Sequence, residues 1–370
     1  MERKKILFVI PSMSGGGAER VFLQLLNRLN RDRYEPFLAL GARRGEFLVK
    51  LNKDIKIFEI EAERARRAIP KLVKIVRSLR PQTVFSTLGM NFAAALSKPL
   101  MPRGTRVVLR EGSSPTAFLA DVARQHPSRA KIYRKVYRKI YNLADSIVCQ
   151  SDFMLSDLEQ NIGIQKQKLE RVYNPVDFEQ IDKLSAETKN EFSNNDAVRL
   201  ITAGRLSFEK AYDNLLRAFA VVRETNPTAT LTFLGEGKDR QSLENLVRDL
   251  QLNGSVYFRG FQSNPYSYMK QSDIFILSSR YEGFSNVIVE SLACGTPVVA
   301  TDCPSANREV IKEGVNGWFA ENENVASLAE TINRAIIERK NLDGAVIRQS
   351  CESRFSIEKI LPQYEKQFEA

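Results

Sequence analysis

Short apolar runs rich in β-branched residues, each followed by a stretch of helical periodicity, recur along this chain in two successive series. Residues 6–10 (Ile-Leu-Phe-Val-Ile) open the first series and lead into a helix expected over 18–29. Further strands are expected at 36–40, 55–60, 83–87, 106–109 and 146–149. The pattern restarts at 198–202 and continues at 229–234, 255–259, 273–277 and 297–301. Runs that are apolar on both faces belong to parallel sheets buried under crossover helices. The expectation is an α/β chain with two Rossmann-like, doubly wound domains. A polar stretch holding Lys189, Asn190, Asn194 and Asn195 separates the two series. It sets an N-terminal domain at 1–182, a linker at 183–196 and a C-terminal domain at 197–354. The last helical segment, 355–370, is expected to pack back on the N-terminal domain.

Composition removes several classes. With 43% hydrophobic and 27% charged residues, the chain is neither disordered nor collagen-like. No run approaches the ~18 apolar residues of a spanning helix. The apolar run at 6–10 stops at Pro11, short of the ~7–15 residues of an export signal, and reads as a strand. Cys149, Cys294, Cys303 and Cys351 lie far apart, and His126 is the single histidine. No metal is expected, and the chain reads as a reduced, cytoplasmic protein. Residues 1–190 hold 35 Lys+Arg against 20 Asp+Glu, whereas the remainder holds 20 against 24. A basic first half points to a polyanionic surface, lipid or nucleic acid.

Open α/β sheets bind ligands beyond the carboxyl ends of their strands, so residues directly after strands carry the chemistry. The first strand is followed by Gly15-Gly16-Gly17 and a helix start, where close backbone approach and unpaired N–H groups suit a phosphate. The spacing does not fit G-x-G-x-x-G, because Arg20 stands where the last glycine would be, which disfavours a nicotinamide cofactor. Arg205 and Lys210 follow the first strand of the second series. A planar fork and a point charge on one turn could grip a diphosphate. Gly235-Glu236-Gly237 forms another turn after a strand. Glu282 lies in the loop after 273–277, and Glu290 falls near the second turn of the next helix. Both could accept bonds from a hydroxyl-rich ligand, while residues 283–286 (Gly283, Phe284, Ser285, Asn286) would bring N–H groups to phosphate oxygens.

These elements occur together and in order, and Glu290 continues into Cys294-Gly295-Thr296-Pro297-Val298-Val299-Ala300. The set resembles the nucleotide-sugar domain of the family-four retaining glycosyltransferases, whose GT-B fold has two Rossmann-like domains facing a central cleft. Gly15-Gly16-Gly17-Ala18-Glu19-Arg20 resembles the glycine loop of members that build bacterial surface glycans. The resemblance covers nearly the whole chain and is most specific over 200–320. It implies that Arg205 and Lys210 hold the donor diphosphate and that Glu282 contacts the transferred sugar. Gly283 and Phe284 would add backbone contacts, Glu290 would bond the nucleotide ribose, and Gly16 and Gly17 would face the donor from the other domain. Members of this fold generally need no metal, and the sequence has no D-x-D. Many members carry a histidine near the donor sugar where this chain has Gly112; either Arg110 or Glu111 substitutes for it, or the sugar is held differently. Residues 303–309 faintly resemble members that use UDP-N-acetylhexosamines.

Two basic stretches complete the reading. Arg66, Arg67, Lys71 and Lys74 are interleaved with aliphatic residues, and Arg134, Lys135 and Arg138 with tyrosines and isoleucines. Helical spacing would set cations against an apolar side, as in interfacial helices. The combined expectation is a metal-independent, retaining hexosyltransferase that takes a UDP-sugar to a lipid-linked or glycan acceptor. It would work as a peripheral protein at the cytoplasmic face of an anionic membrane. A sugar-nucleotide epimerase of similar shape fits less well, because such enzymes usually rely on several acidic groups and histidines. A nucleic-acid-binding protein lacks any supporting motif.

Overall fold

The computed structural model describes residues 3–62, 65–187 and 198–369. It divides into two compact units: Met1–Pro175 with Ile357–Ala370, and Val176–Ser356. Among the described residues the first unit holds seven strands: β1 (Lys4–Ile10), β2 (Tyr34–Leu40), β3 (Lys56–Glu59), β4 (Thr83–Thr87), β5 (Arg106–Arg110), β6 (Ser146–Cys149) and β7 (Leu169–Arg171). They pair in parallel in the order β3-β2-β1-β4-β5-β6-β7. The second unit holds β8 (Arg199–Ala203), β9 (Thr230–Leu234), β10 (Val256–Phe258), β11 (Ile274–Leu277), β12 (Val298–Thr301) and β13 (Gly317–Ala320). These are also parallel, ordered β10-β9-β8-β11-β12-β13. Strand order reverses beside β1 in one sheet and beside β8 in the other. Each sheet therefore has a switch point where loops leave in opposite directions and open a crevice.

Strands β7 and β13 break the sequence pattern. Leu169-Glu170-Arg171 is an edge strand with a single buried side chain, and Gly317-Trp318-Phe319-Ala320 is a four-residue edge strand opening on glycine. Short edge strands carry little of the apolar alternation by which strands are read.

The expected division at 182 also moves. The Phe178–Ser185 helix lies in the second unit, where Phe178 and Ile181 are buried and the Arg348 guanidinium takes both oxygens of Asp182 at 2.7 and 2.8 Å. The chain changes units at Pro175 and returns at Ile357, not at 182 and 355. Most of the expected linker, 188–196, lies outside the described residues.

The central strands are apolar because both sheet faces are covered. Phe8, Phe22, Phe85 and Phe368 form one aromatic cluster with ring centroids 5.0–6.0 Å apart. Phe368 comes from the Ile357–Glu369 helix, whose Ile360, Tyr364 and Phe368 are buried in the first unit. The Tyr34 hydroxyl donates to Glu369 at 2.8 Å, and Arg33 pairs with Glu365 at 3.1 Å. Burial, then the Glu365 carboxylate, pushes the Tyr34 phenol above its ordinary range. Tyr34→Phe removes the bond to Glu369 while keeping the ring, and should cost about 1 kcal/mol in urea melts, since the carboxylate is half exposed.

Candidate functional site

The second unit brings two loops of the sequence motif together at its switch point. β8 and β11 are neighbours, with Ile274 opposite Leu200 and Phe275 opposite Ile201, so the chains leaving them emerge side by side. After β8 the chain turns through Gly204 and exposed Arg205, then winds through a 3-10 turn, Phe208–Lys210, that ends at Ala211. Ala211 has a left-handed φ of +49°, a costly conformation that marks a locally over-determined turn. The loop after β11 is stitched to this turn. The Ser278 hydroxyl donates to the Lys210 carbonyl at 2.8 Å, and the Arg280 N–H donates to the Glu209 carbonyl at 2.9 Å.

Lys210 and Glu282 meet there, ammonium to carboxylate at 2.5 Å, each side chain 15% exposed. The Ser279 hydroxyl donates to the same carboxylate oxygen at 2.7 Å. The Glu282 N–H donates to the Pro304 carbonyl at 3.1 Å, and the Thr301 hydroxyl donates to the Ser279 carbonyl at 2.6 Å. Burial pulls the Lys210 ammonium toward neutrality, but Glu282, with Tyr212 and Glu209, outweighs it and holds its pKa above the ordinary value. Lys210 is therefore a fixed cation at neutral pH. Arg205 is exposed on the same turn, and its guanidinium makes no ion pair among the described residues.

Gly235 and Gly237 are explained by backbone contact within this unit. A Cβ at Gly235 would sit 2.0 Å from the Gly204 carbonyl oxygen, and one at Gly237 would sit 2.1 Å from that of Leu206. The Leu206 N–H donates to the Glu236 carbonyl at 3.0 Å, and the Gly235 N–H donates to the Gly260 carbonyl at 2.7 Å. The glycine turn thus braces the turn that carries Arg205. Beyond Glu282, Gly283 is buried and the Phe284 ring packs edge-on against Phe355 at 5.6 Å. Ser285 spends its hydroxyl on Asn307 at 3.2 Å, leaving the Asn286–Ala293 helix without a side-chain cap. Glu290, on that helix, is only 4% exposed.

In the first unit, Gly15 has φ +97°, and Gly16 stands in extended conformation before a helix, Gly17–Arg28, that has no side-chain cap. The loop after β2 closes over this segment: the Met13 N–H donates to the Arg44 carbonyl at 3.0 Å, and the Phe47 N–H donates back to Met13 at 3.1 Å.

The expectation for Arg110 and Glu111 as sugar contacts is corrected. Arg110 is 1% exposed and its guanidinium donates to Asn174 at 2.5 Å, to Thr87 at 3.3 Å and to Tyr364 at 3.4 Å. The Glu111 carboxylate accepts from the hydroxyls of Tyr137 and Tyr141 and from the N–H of Gly112 and Ser113. Both charges are buried and fully engaged, so they hold the first unit together from inside. Burial, then Glu111, drives both phenols well above their ordinary range.

The two basic stretches separate as well. The Ala65–Leu79 helix exposes Arg66, Arg67, Lys71 and Lys74, but Ala68, Leu72, Val73 and Val76 are buried in the core. Its apolar side is used up, so it offers charge alone. The Pro127–Tyr141 helix buries Tyr137 and Tyr141, yet exposes Ile132 (60%), Tyr133 (45%) and Val136 (42%) beside Arg134, Lys135 and Arg138. Among the described residues no helix is long and apolar enough to cross a membrane. Also among them, no three His, Cys, Asp or Glu side chains converge as a metal site would require. All four cysteines are free and buried, with burial raising Cys294 to about 12, Cys303 to about 11 and Cys351 to about 12.

The sequence reading missed Ser279, which shares Glu282 with Lys210, and Arg280. Ser279 reaches Glu282 three residues on, whereas the Arg280 side chain finds Phe208, Asp213 and Glu323 at separations of 72, 67 and 43 residues, which spacing does not reveal.

Sequence models of two families match the chain. "Glycosyltransferase Family 4" covers residues 15–180, and "Glycosyl transferases group 1" covers residues 185–349. The N-acetylgalactosamine-N,N'-diacetylbacillosaminyl-diphospho-undecaprenol 4-alpha-N-acetylgalactosaminyltransferase of Campylobacter jejuni is 29% identical over 351 residues, 91% of each chain. A lipopolysaccharide core biosynthesis glycosyltransferase of Rhizobium meliloti is 26% identical over 87% of this chain and 86% of its own. Among solved structures, Anabaena HepE with UDP and glucose superposes with a TM-score of 0.83 at 21% identity, each chain covered in full.

Proposed function

Because the chain belongs to the family-four glycosyltransferases and has their GT-B fold, we propose that it moves a hexose or N-acetylhexosamine from a UDP-sugar to a lipid-linked acceptor in surface-glycan synthesis, with retention of configuration. The observation that carries this reading is the Lys210–Glu282 pair at the switch point of the second sheet. Support for the donor and acceptor comes from the relatives. One acts on a diphospho-undecaprenol glycan by its name, and a structural neighbour binds UDP and glucose.

The chemistry assigns roles. Breaking the C1–oxygen bond of the donor leaves an electron pair on the UDP β-phosphate, where Lys210 and Arg205 stabilise the growing charge. Positioned cations in a partly dry site act most strongly where charge develops. Glu282 turns from Lys210 toward hydroxyls of the transferred sugar, and Glu290 takes the ribose. The Asn286–Ala293 helix begins four residues after Glu282 and would turn its positive end toward phosphate. The acceptor oxygen bonds C1 on the face the phosphate leaves, and its proton passes to the departing phosphate oxygen. This front-face course needs no protein base. Two protein cations supply the neutralisation that a divalent ion gives elsewhere, so a chelator should leave turnover unchanged.

Peripheral attachment at the cytoplasmic face belongs to the same reading, and the Pro127–Tyr141 helix is its surface. Each cation near an anionic leaflet contributes about 1 kcal/mol, and exposed Ile132, Tyr133 and Val136 can enter the headgroup boundary. Ile132→Asp with Val136→Asp should reduce co-sedimentation with phosphatidylglycerol vesicles about tenfold or more. Equal binding to neutral vesicles, or no change in the double variant, would remove this surface. Calorimetric titration with UDP tests the reading as a whole: binding by the wild type and a measurable weakening of about tenfold or more in Arg205→Ala and in Lys210→Ala are expected.

A further inference from the structure

Arg280 is the most heavily engaged side chain near the Lys210–Glu282 pair, and no role in the reaction has been given to it. Its side chain is 9% exposed, and its partners come from the 208–213 segment and from the loop after β13. Nη2 donates to both carboxylate oxygens of Asp213 at 3.1 and 3.0 Å, on the first turn of the helix after Lys210. Nε donates to Glu323 at 3.0 Å, in the loop after β13, where Glu323 itself holds a left-handed φ of +54°. Nη1 donates to the Phe208 carbonyl at 2.5 Å, and the guanidinium lies 4.2 Å from the centroid of the Phe208 ring. Its main chain is tied as well, N–H to the Glu209 carbonyl at 2.9 Å and carbonyl to the Asn322 amide at 3.1 Å.

Four hydrogen bonds, drawn from its five N–H donors, and one face against Phe208 commit the guanidinium to protein rather than to a phosphate. Its contacts instead surround the three residues Phe208–Lys210 and the strained Ala211 that follows. A tight turn with an unfavourable φ keeps its shape only when neighbours over-determine it, and here the neighbour is two residues before Glu282.

We propose that Arg280 is a positioning residue: it clamps the Phe208–Lys210 turn against the Glu282 loop so that the Lys210 ammonium is aimed at the donor diphosphate. The inference rests on Lys210 being the diphosphate ligand. Lysine is a poor substitute, because a point charge cannot span Asp213, Glu323 and the Phe208 carbonyl together.

A double-mutant cycle read by UDP calorimetry, well below the melting temperature, tests it. Arg280→Gln should weaken UDP about tenfold in the otherwise native protein and less than about twofold in a Lys210→Ala background, because its effect runs through Lys210. Should Arg280→Gln fail to fold, Asp213→Asn loosens the same clamp from one side and should show a smaller loss with the same dependence on Lys210. An unchanged affinity, or a loss repeated in full in the Lys210→Ala background, would overturn the proposal. Lys210→Ala alone reports on the donor assignment. Native UDP binding there would remove that assignment and this inference with it, whereas a loss there with full additivity would remove only the role of Arg280.

Discussion

Lys210→Ala should lower turnover of the UDP-sugar about 10³-fold while leaving a folded protein. Removing one preformed donor from a developing anion typically costs two to three orders of magnitude in rate. Lys210 is the better candidate of the two cations for such an effect. It is 15% exposed and held by Glu282, whereas Arg205 is exposed and more readily replaced by water. Lys210→Arg keeps the charge but misplaces it, and should recover part of the rate. Release of UDP in single-turnover assays separates this from weaker binding. If Lys210 served only to satisfy Glu282, the variant would lose stability and keep its rate. Stability carries its own signature. The folded ammonium titrates above the ordinary lysine value of 10.5, so the pair's contribution is complete below that pH and fades as pH rises through the folded value. The stability gap between wild type and Lys210→Ala should therefore close only in strongly alkaline solution.

Gly235→Ala should destabilise the second unit by about 3 kcal/mol or more and weaken UDP binding with it. Its φ is +138°, and the added Cβ would lie 2.0 Å from the Gly204 carbonyl oxygen. Backbone meets backbone here, so relief requires the two turns to part, stretching the Gly235–Gly260 and Leu206–Glu236 bonds of 2.7 and 3.0 Å. The turn that moves is the one that carries Arg205. Gly254→Ala is the control: φ is +79° with nothing within 4 Å of the new Cβ, so strain alone remains, about 1 kcal/mol. Urea melts of the two variants give the comparison. Equal losses would mean that the 235–237 turn is not a brace.

The sheets were legible because buried parallel strands write long β-branched runs, and the loops after them because glycine and charge cluster there. Strands β7 and β13 were not: β7 buries one of its three side chains, and β13, although mostly buried, opens on glycine and is too short at four residues to write a run. The unit boundary was placed at 182 because polarity begins there, but the Phe178–Ser185 helix is fixed by Arg348, far away in sequence. Arg110 and Glu111 are read as sugar contacts only because they adjoin Gly112, where the resemblance leads one to expect a histidine. Only the fold supplies Asn174, Tyr137 and Tyr141 as partners. The same blindness to distant partners hid Arg280. The cationic helices looked alike as sequence and differ in what the core consumes: the aliphatic side of Ala65–Leu79 is buried, whereas Ile132, Tyr133 and Val136 remain outside.

A crystal structure of this protein grown with UDP addresses the central claim without knowledge of the sugar or acceptor. The diphosphate is expected within hydrogen-bond reach of Arg205 and Lys210, with the Lys210–Glu282 contact opened and Glu282 left free for a sugar. A diphosphate held elsewhere, or bound with Lys210 still closed on Glu282, would contradict it.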